Sequence, residues 1–302
     1  NITRNNFPTQ FMLRFLILFL AISSVPLFGQ GNLLSELNSI TPESEKSFVF
    51  ATFKGTRVIN MQSIELPGKG VGQFIVGHRF GALNDQPLYN LFGMDMAQIR
   101  FEYSYSPKKW FNFGGGRSSG AKTYDLFTKI KIFTQSKKSK CKNCIDFPFS
   151  LAYYSSATIV TTPFSDINPS IPDRMAFTNQ IIMARKFNRS FSLELVPTLV
   201  HYNLVPTVHD NNDLIALGIG GRYKLTSRMA LTSEIMLRQQ QPLDTYNALS
   251  FGIDIETGGH VFQFHLTNCR LMADNQWITQ NPGSWSNGDI FLGFNISRVF
   301  NH

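Results

Sequence analysis

The stretch AQIRFEYSYSP (residues 97–107) alternates without a break. Ala97, Ile99, Phe101, Tyr103 and Tyr105 are apolar or aromatic, and Gln98, Arg100, Glu102, Ser104 and Ser106 are polar. Successive side chains of a strand point to opposite faces, so this segment has one oily face and one wet face. From residue 71 onward the same theme recurs as runs of roughly ten residues, each closed by a turn. The runs fall at 71–80, 97–106, 110–118, 123–133, 147–161, 175–187, 191–202, 215–225, 229–239, 249–256, 260–268 and 289–300, which predicts twelve strands.

The links between runs alternate as well. SPKK, NRS, TSR and TGG are tight turns, whereas 81–95, 163–174, 203–214, 240–248 and 269–288 are long. Transmembrane barrels have short periplasmic turns and longer outer loops. Placing the short turns in the periplasm puts both ends of the 71–300 region there, which demands an even strand number. Counting 48–60 as a thirteenth strand breaks that parity. Two links depart from the rule: 136–146 is long for a periplasmic turn, and 118–122 is short for an outer loop. A soluble β-sandwich alternates too. Three features favour the barrel: mixed-charge, Gly-rich faces opposite the oily ones, aromatics toward run ends, and Phe300 near the end of the last run. The expectation is an all-β fold, a transmembrane antiparallel up-and-down β-barrel of twelve strands. Ile99, Phe101 and Tyr103 then face lipid.

Composition agrees. Only 16% of the residues are charged, against about 25% in a typical globular domain, and the chain has 28 Phe and 22 Gly. The formal charge of +8 fits a small anionic solute as partner, although a basic surface needs no specific partner. The segment MLRFLILFLAISSVPLFGQ has the charged, apolar, small-residue order of a secretory signal peptide. The expected division is 1–29 as upstream residues plus signal peptide, 30–70 as a periplasmic or lumen segment, and 71–302 as the outer-membrane barrel. Expected partners are outer-membrane lipid and the barrel-assembly machinery, and no nucleic acid.

Several stretches resemble a β-barrel family of Bacteroidota known as domain of unknown function 5777. They are ATFKGTRVIN (51–60), GRSSGAKTYD (116–125), PTLVHYNLV (197–205), ALGIGGRYKLT (216–226), DIETGGHVFQFHLTN (254–268) and GFNISRVF (293–300). The resemblance implies an outer-membrane barrel and no particular activity. Arg298 departs from the usual barrel-assembly signal, where an apolar residue sits two before the final aromatic. Recognition by the assembly machinery then rests on Ile296 and Phe300.

Candidate chemistry is sparse. Cys141 and Cys144 in CKNC have redox or half-zinc spacing, but no second pair exists, so a local disulfide is expected and no metal. No GxSxG, HExxH or P-loop occurs, so the expectation is a non-enzyme without a cofactor. The candidate lumen-facing residues are Lys54, Arg57, Arg100, Glu102, Asp125, Lys129, Lys131, Glu194, Arg222, Lys224, Glu234, Arg238, Asp254, Glu256 and His265. Asp254 and Glu256 are two apart on one face. Paired carboxylates suit acid–base work, but ion pairing with Arg222, Lys224 or Arg238 is the favoured reading. The functional expectation is a narrow channel for small polar or anionic solutes; the alternative is a plugged barrel holding an envelope partner. The composition of TFKGTRVIN argues for an extended segment. With no place in the wall, it would lie inside the barrel and narrow the bore, or else form a periplasmic arm.

Overall fold

The computed structural model describes residues 48–136, 146–163, 169–205, 207, 210–239 and 244–301. The signal-peptide segment and the Cys141–Cys144 pair lie outside them. The strands are β1 (Val71–Ala82), β2 (Ala97–Lys108), β3 (Phe111–Ser118), β4 (Thr123–Phe133), β5 (Ser150–Val160), β6 (Met175–Lys186), β7 (Phe191–Tyr202), β8 (Asp213–Lys224), β9 (Met229–Arg238), β10 (Ala248–Thr257), β11 (His260–Thr267) and β12 (Phe291–Asn301). One short helix, α1 (Asp274–Thr279), lies between β11 and β12. Each strand pairs antiparallel with its sequence neighbour, and β1 pairs with β12, so the sheet closes into a barrel. Closure leaves no strand edge exposed. No helix among the described residues is long and apolar enough to cross a membrane, so any crossing is made by the strands.

The twelve observed strands fall on the twelve predicted runs. The pattern works because each run has period two and turn residues at its ends. Pro197 sits inside β7, where the β6–β7 ladder skips from Gln180–Thr198 to Met183–Leu195. A residue without an N–H is tolerated at such an interruption.

The outward face is apolar. On β2, Phe101 is 48% exposed and Tyr103 44%, while Arg100, Glu102 and Ser104 between them are buried. Tyr124, Leu126, Ile181, Ile215, Phe251 and Phe264 continue this exposed belt. Arg117 lies 5.3 Å from the Tyr124 ring and Lys108 5.4 Å from the Trp110 ring, so outward cations rest on girdle aromatics. Arg298 does the same on Phe300 at 5.2 Å, near the end of β12.

The inward face required a correction. It reads as a wet lumen from sequence, yet it encloses the hydrophobic core of the molecule. Phe127, Tyr154, Ile182, Val196, Val200 and Met236 point inward from the wall. They pack with Phe53, Val58, Met61 and Ile64 from the segment before β1, and with Cys269, Trp277 and Ile278 from the segment after β11.

Candidate functional site

The bore is filled from both ends. Residues 51–66 enter from the end of the short turns, where β1 begins. There Val49 N–H donates to Gln135 O (2.8 Å) and Lys54 Nζ donates to Ser227 O (3.1 Å). The extended conformation expected for 51–60 is not found. The segment is a series of bends around one reverse turn, in which Val58 N–H donates to Met61 O (2.8 Å) and Ser63 N–H to Thr56 O (2.9 Å). A closed barrel offers no free strand edge, so a straight segment inside it would leave its amides without acceptors.

Charged wall side chains take the place of that edge. The Glu234 carboxylate accepts from the amides of Ile59 (3.0 Å), Asn60 (2.8 Å) and Met61 (2.9 Å), and from Asn60 Nδ2 (3.0 Å). Glu194 accepts from Ile64 N–H (3.3 Å). Lys129 Nζ donates to the carbonyls of Thr56 (3.1 Å), Ser63 (3.0 Å) and Glu65 (3.3 Å). Arg222 Nη1 donates to those of Ala51 (3.0 Å) and Thr52 (3.1 Å). Acids take the plug's N–H groups and bases take its carbonyls. Gly218 and Gly220 on β8 leave the space: a Cβ on either would lie within about 2.5 Å of the Met61 side chain.

The other insert is the loop 268–290, which enters from the long-loop end and carries α1. Asp274, Trp277 and Ile278 are buried. The two inserts meet at Arg57. Its guanidinium pairs with Glu102 on the wall (2.7 Å) and with Asp274 on the loop (3.1 Å), and it donates to Asn60 O (2.6 Å). Arg100 pairs with the same Glu102 (3.0 Å) and donates to Asp125 (2.8 Å). Tyr154 OH donates to Asp274. Burial makes such a network costly if any member is removed.

The remaining predicted residues are placed as follows. Lys54 pairs with Glu256 at the short-turn rim, where the Glu256 side chain is 50% exposed. Lys131 lies 3.9 Å from Glu65. Arg238 donates to Thr279 O (2.8 Å) on α1 and to Thr245 (3.0 Å). Asp254 accepts from Gln263 (3.1 Å) and Thr232 (3.4 Å), so among the described residues neither it nor Glu256 makes the expected ion pair with Arg222, Lys224 or Arg238. Lys224 shares the inward parity of Arg222 but is only half-buried near the rim. His265 is buried and both its ring nitrogens lack partners. Among the described residues, no group of three or more His, Cys, Asp or Glu is arranged to hold a metal.

Sequence reasoning missed Arg79, Asn60, Asn295, Asp274 and Tyr154. Arg79 had a signal: it lies on the face of β1 opposite Phe74, Val76 and Phe80. It is 1% exposed and donates to Asn60 Oδ1 (2.8 Å) and Asn295 Oδ1 (3.0 Å). Asn295 in turn donates to Ile59 O (2.9 Å), so wall, plug and β12 are tied together at this point.

The family described as Membrane bound beta barrel domain (DUF5777) matches residues 53–300. No curated protein matches the chain. Among solved structures, the chain is similar to the NanC porin, at 7% identity over 76% of this chain and 99% of that chain, with a TM-score of 0.44. It is similar to the KdgM porin in complex with disordered oligogalacturonate, at 6% identity over 77% and 99%, with a TM-score of 0.45. It is also similar to an outer membrane channel from Pseudomonas putida F1, at 12% identity over 78% and 97%, with a TM-score of 0.45. At such identities and scores these likenesses carry no functional argument.

Proposed function

The chain belongs to the family of membrane-bound β-barrel domains, and from that premise we propose that it is an outer-membrane conduit for small polar or anionic solutes, shut at rest by its own chain. The observation that carries this reading is the double filling of the bore, with 51–66 and 268–290 joined at Arg57. An open porin has a water-filled interior; here inserts from the two ends touch. The wall beneath them keeps the chemistry of a solute path, with Arg, Lys, Asp, Glu, Ser and Thr on its inward positions. Glu194, Glu234, Lys129, Arg222 and Arg238 are committed to holding the inserts, which supports a non-enzymatic role.

Energetics set the resting state. Phe53, Val58, Ile59, Met61 and Ile64 are each at most 2% exposed. Burying such a side chain is worth about 1.5–3 kcal/mol, so withdrawing all of them costs on the order of 10 kcal/mol. Opening therefore needs a driver, such as voltage or a partner pulling on the chain before residue 51. The same packing favours a second reading, a permanently plugged barrel that holds an envelope partner.

Planar-bilayer recording separates the two. The conduit reading expects silence from the intact protein at low voltage, and conductance steps from a variant lacking residues 48–66 that still shows heat-modifiable barrel mobility. Silence from that assembled variant, with and without applied voltage, overturns the conduit and leaves the plugged scaffold.

A further inference from the structure

Arg79 is the anomaly of the interior. Its guanidinium is 1% exposed, and every acceptor it meets is neutral: His78 O (2.9 Å), Phe294 O (3.4 Å), Asn295 Oδ1 (3.0 Å) and Asn60 Oδ1 (2.8 Å). The other two arginines of this region have carboxylates, Arg57 through Glu102 and Asp274 and Arg100 through Glu102 and Asp125. Glu234 does not pair with Arg79; its oxygens are taken by the amides of Ile59, Asn60 and Met61. Glu234 therefore attracts Arg79 only at longer range, and a buried charge without a hydrogen-bonded counter-charge is costly for a fold.

A cavity adjoins this group. It measures about 20 Å³ and is lined by Arg57, Arg79, Arg100, Asn60, Glu102 and Asn295, among others. The Nε atoms of Arg79 and Arg100 are buried without partners, and they are the only such side-chain atoms among the lining residues. Both are donors, so the missing group is an acceptor. A volume near this size holds one small species, since about 10–15 Å³ accommodates a water. Three guanidiniums on the lining disfavour a cation. A water would satisfy the donors but would bring no charge into hydrogen-bond reach of Arg79, whose attraction to Glu234 acts only at longer range.

We infer that this cavity is a halide site, in which a monovalent inorganic anion such as chloride accepts from Arg79 and Arg100 and serves as the counter-ion of Arg79. The inference goes beyond the conduit reading, because Arg79 needs its counter-ion whether or not solute crosses the bore. The anion bridges β1 and β2 beneath Asn60, and so ties the plug to the wall.

The test uses the full chain refolded in sodium bromide and crystallised. Anomalous diffraction at the bromine edge is expected to show a peak beside Arg79 Nε. In solution, chloride in place of gluconate at equal ionic strength is expected to raise the unfolding midpoint by about 3 °C or more. Asn295→Asp sets a carboxylate beside Arg79 Nη1 as a built-in counter-ion, and should abolish both the peak and the chloride dependence. Absence of the peak in the intact protein overturns the site and leaves a water there. A peak or chloride dependence that survives in Asn295→Asp overturns Arg79 as the anion's partner. If that variant does not assemble, the bromide map of the intact protein decides alone.

Discussion

The segment 51–66 and the loop 268–290 occupy one bore, but the wall holds them by different chemistry. For the first, wall side chains bind main-chain atoms: Glu234 and Glu194 take amides, and Lys129 and Arg222 take carbonyls. For the second, the wall supplies Arg238 to Thr279 O (2.8 Å) and Tyr202 OH to Asn275 O (3.1 Å), and otherwise the insert's own side chains reach out. Asp274 meets Arg57 and Tyr154, Gln276 Nε2 donates to Thr123 Oγ1 (2.8 Å), and Trp285 Nε1 donates to Leu249 O (2.9 Å). Sensitivity to mutation should therefore sit on the wall for the N-terminal plug and on the insert itself for the loop.

The sharpest way to break this contrast is Glu234→Ala. It strands three buried amides, each costing about 1–3 kcal/mol, so a loss of roughly 3–9 kcal/mol is expected in urea unfolding from lipid vesicles. A loss under about 1 kcal/mol would mean that the plug does not depend on the wall for its acceptors. Next is Trp277→Ala on the loop, where a 1% exposed indole is removed. The expected cost is about 3–5 kcal/mol in the same assay. Near-neutrality there would show that α1 leaves the bore. Phe251→Arg tests the outward face, where the Phe251 ring also meets Trp285 of the loop edge-on, with centroids 5.8 Å apart. Phe251 is 51% exposed and points outward, and a charge there should cost about 2–4 kcal/mol near the bilayer midplane. Assembly and heat resistance equal to the parent would contradict the lipid-facing assignment. The smallest effect is expected from Lys54→Ala, because its partner Glu256 is half exposed at the rim. A change below about 1 kcal/mol is expected, weakening further with salt; a large loss would mean that the rim pair, not the deeper contacts, fixes the plug.

The wall was legible in the sequence and the partners inside it were not. Period-two alternation in runs such as LSFGIDIE settles both the strand and its outward face, because lipid and interior impose opposite demands on neighbouring residues. Parity of the turns, together with Lys54 and Arg57, kept 48–60 out of the wall. What alternation cannot give is which inward residue meets which insert. Glu234 and Asn60 are separated by 174 positions, and nothing local in either marks the pairing. The bends of 51–60 were misread as extended because Thr, Val and Ile suit strands, whereas the acceptors offered by Glu234 and Glu194 dictate the turn. The helix α1 has six residues, too few to show a helical period. Arg79 was readable as inward but not as unpaired, since pairing is a property of the closed barrel.

The claim at the centre of the account is that 51–66 lies inside the barrel with its main chain bound to the wall. Hydrogen–deuterium exchange of the intact protein in lipid tests it without any mutation. The amides of Val58, Ile59, Asn60, Met61 and Ser63 donate to Met61 O, Glu234 and Thr56 O. They should exchange as slowly as those of β7 and β8, and far more slowly than the exposed loop at 86–95. Exchange of these amides within seconds, at the rate of that loop, would contradict the account and make the segment a free arm.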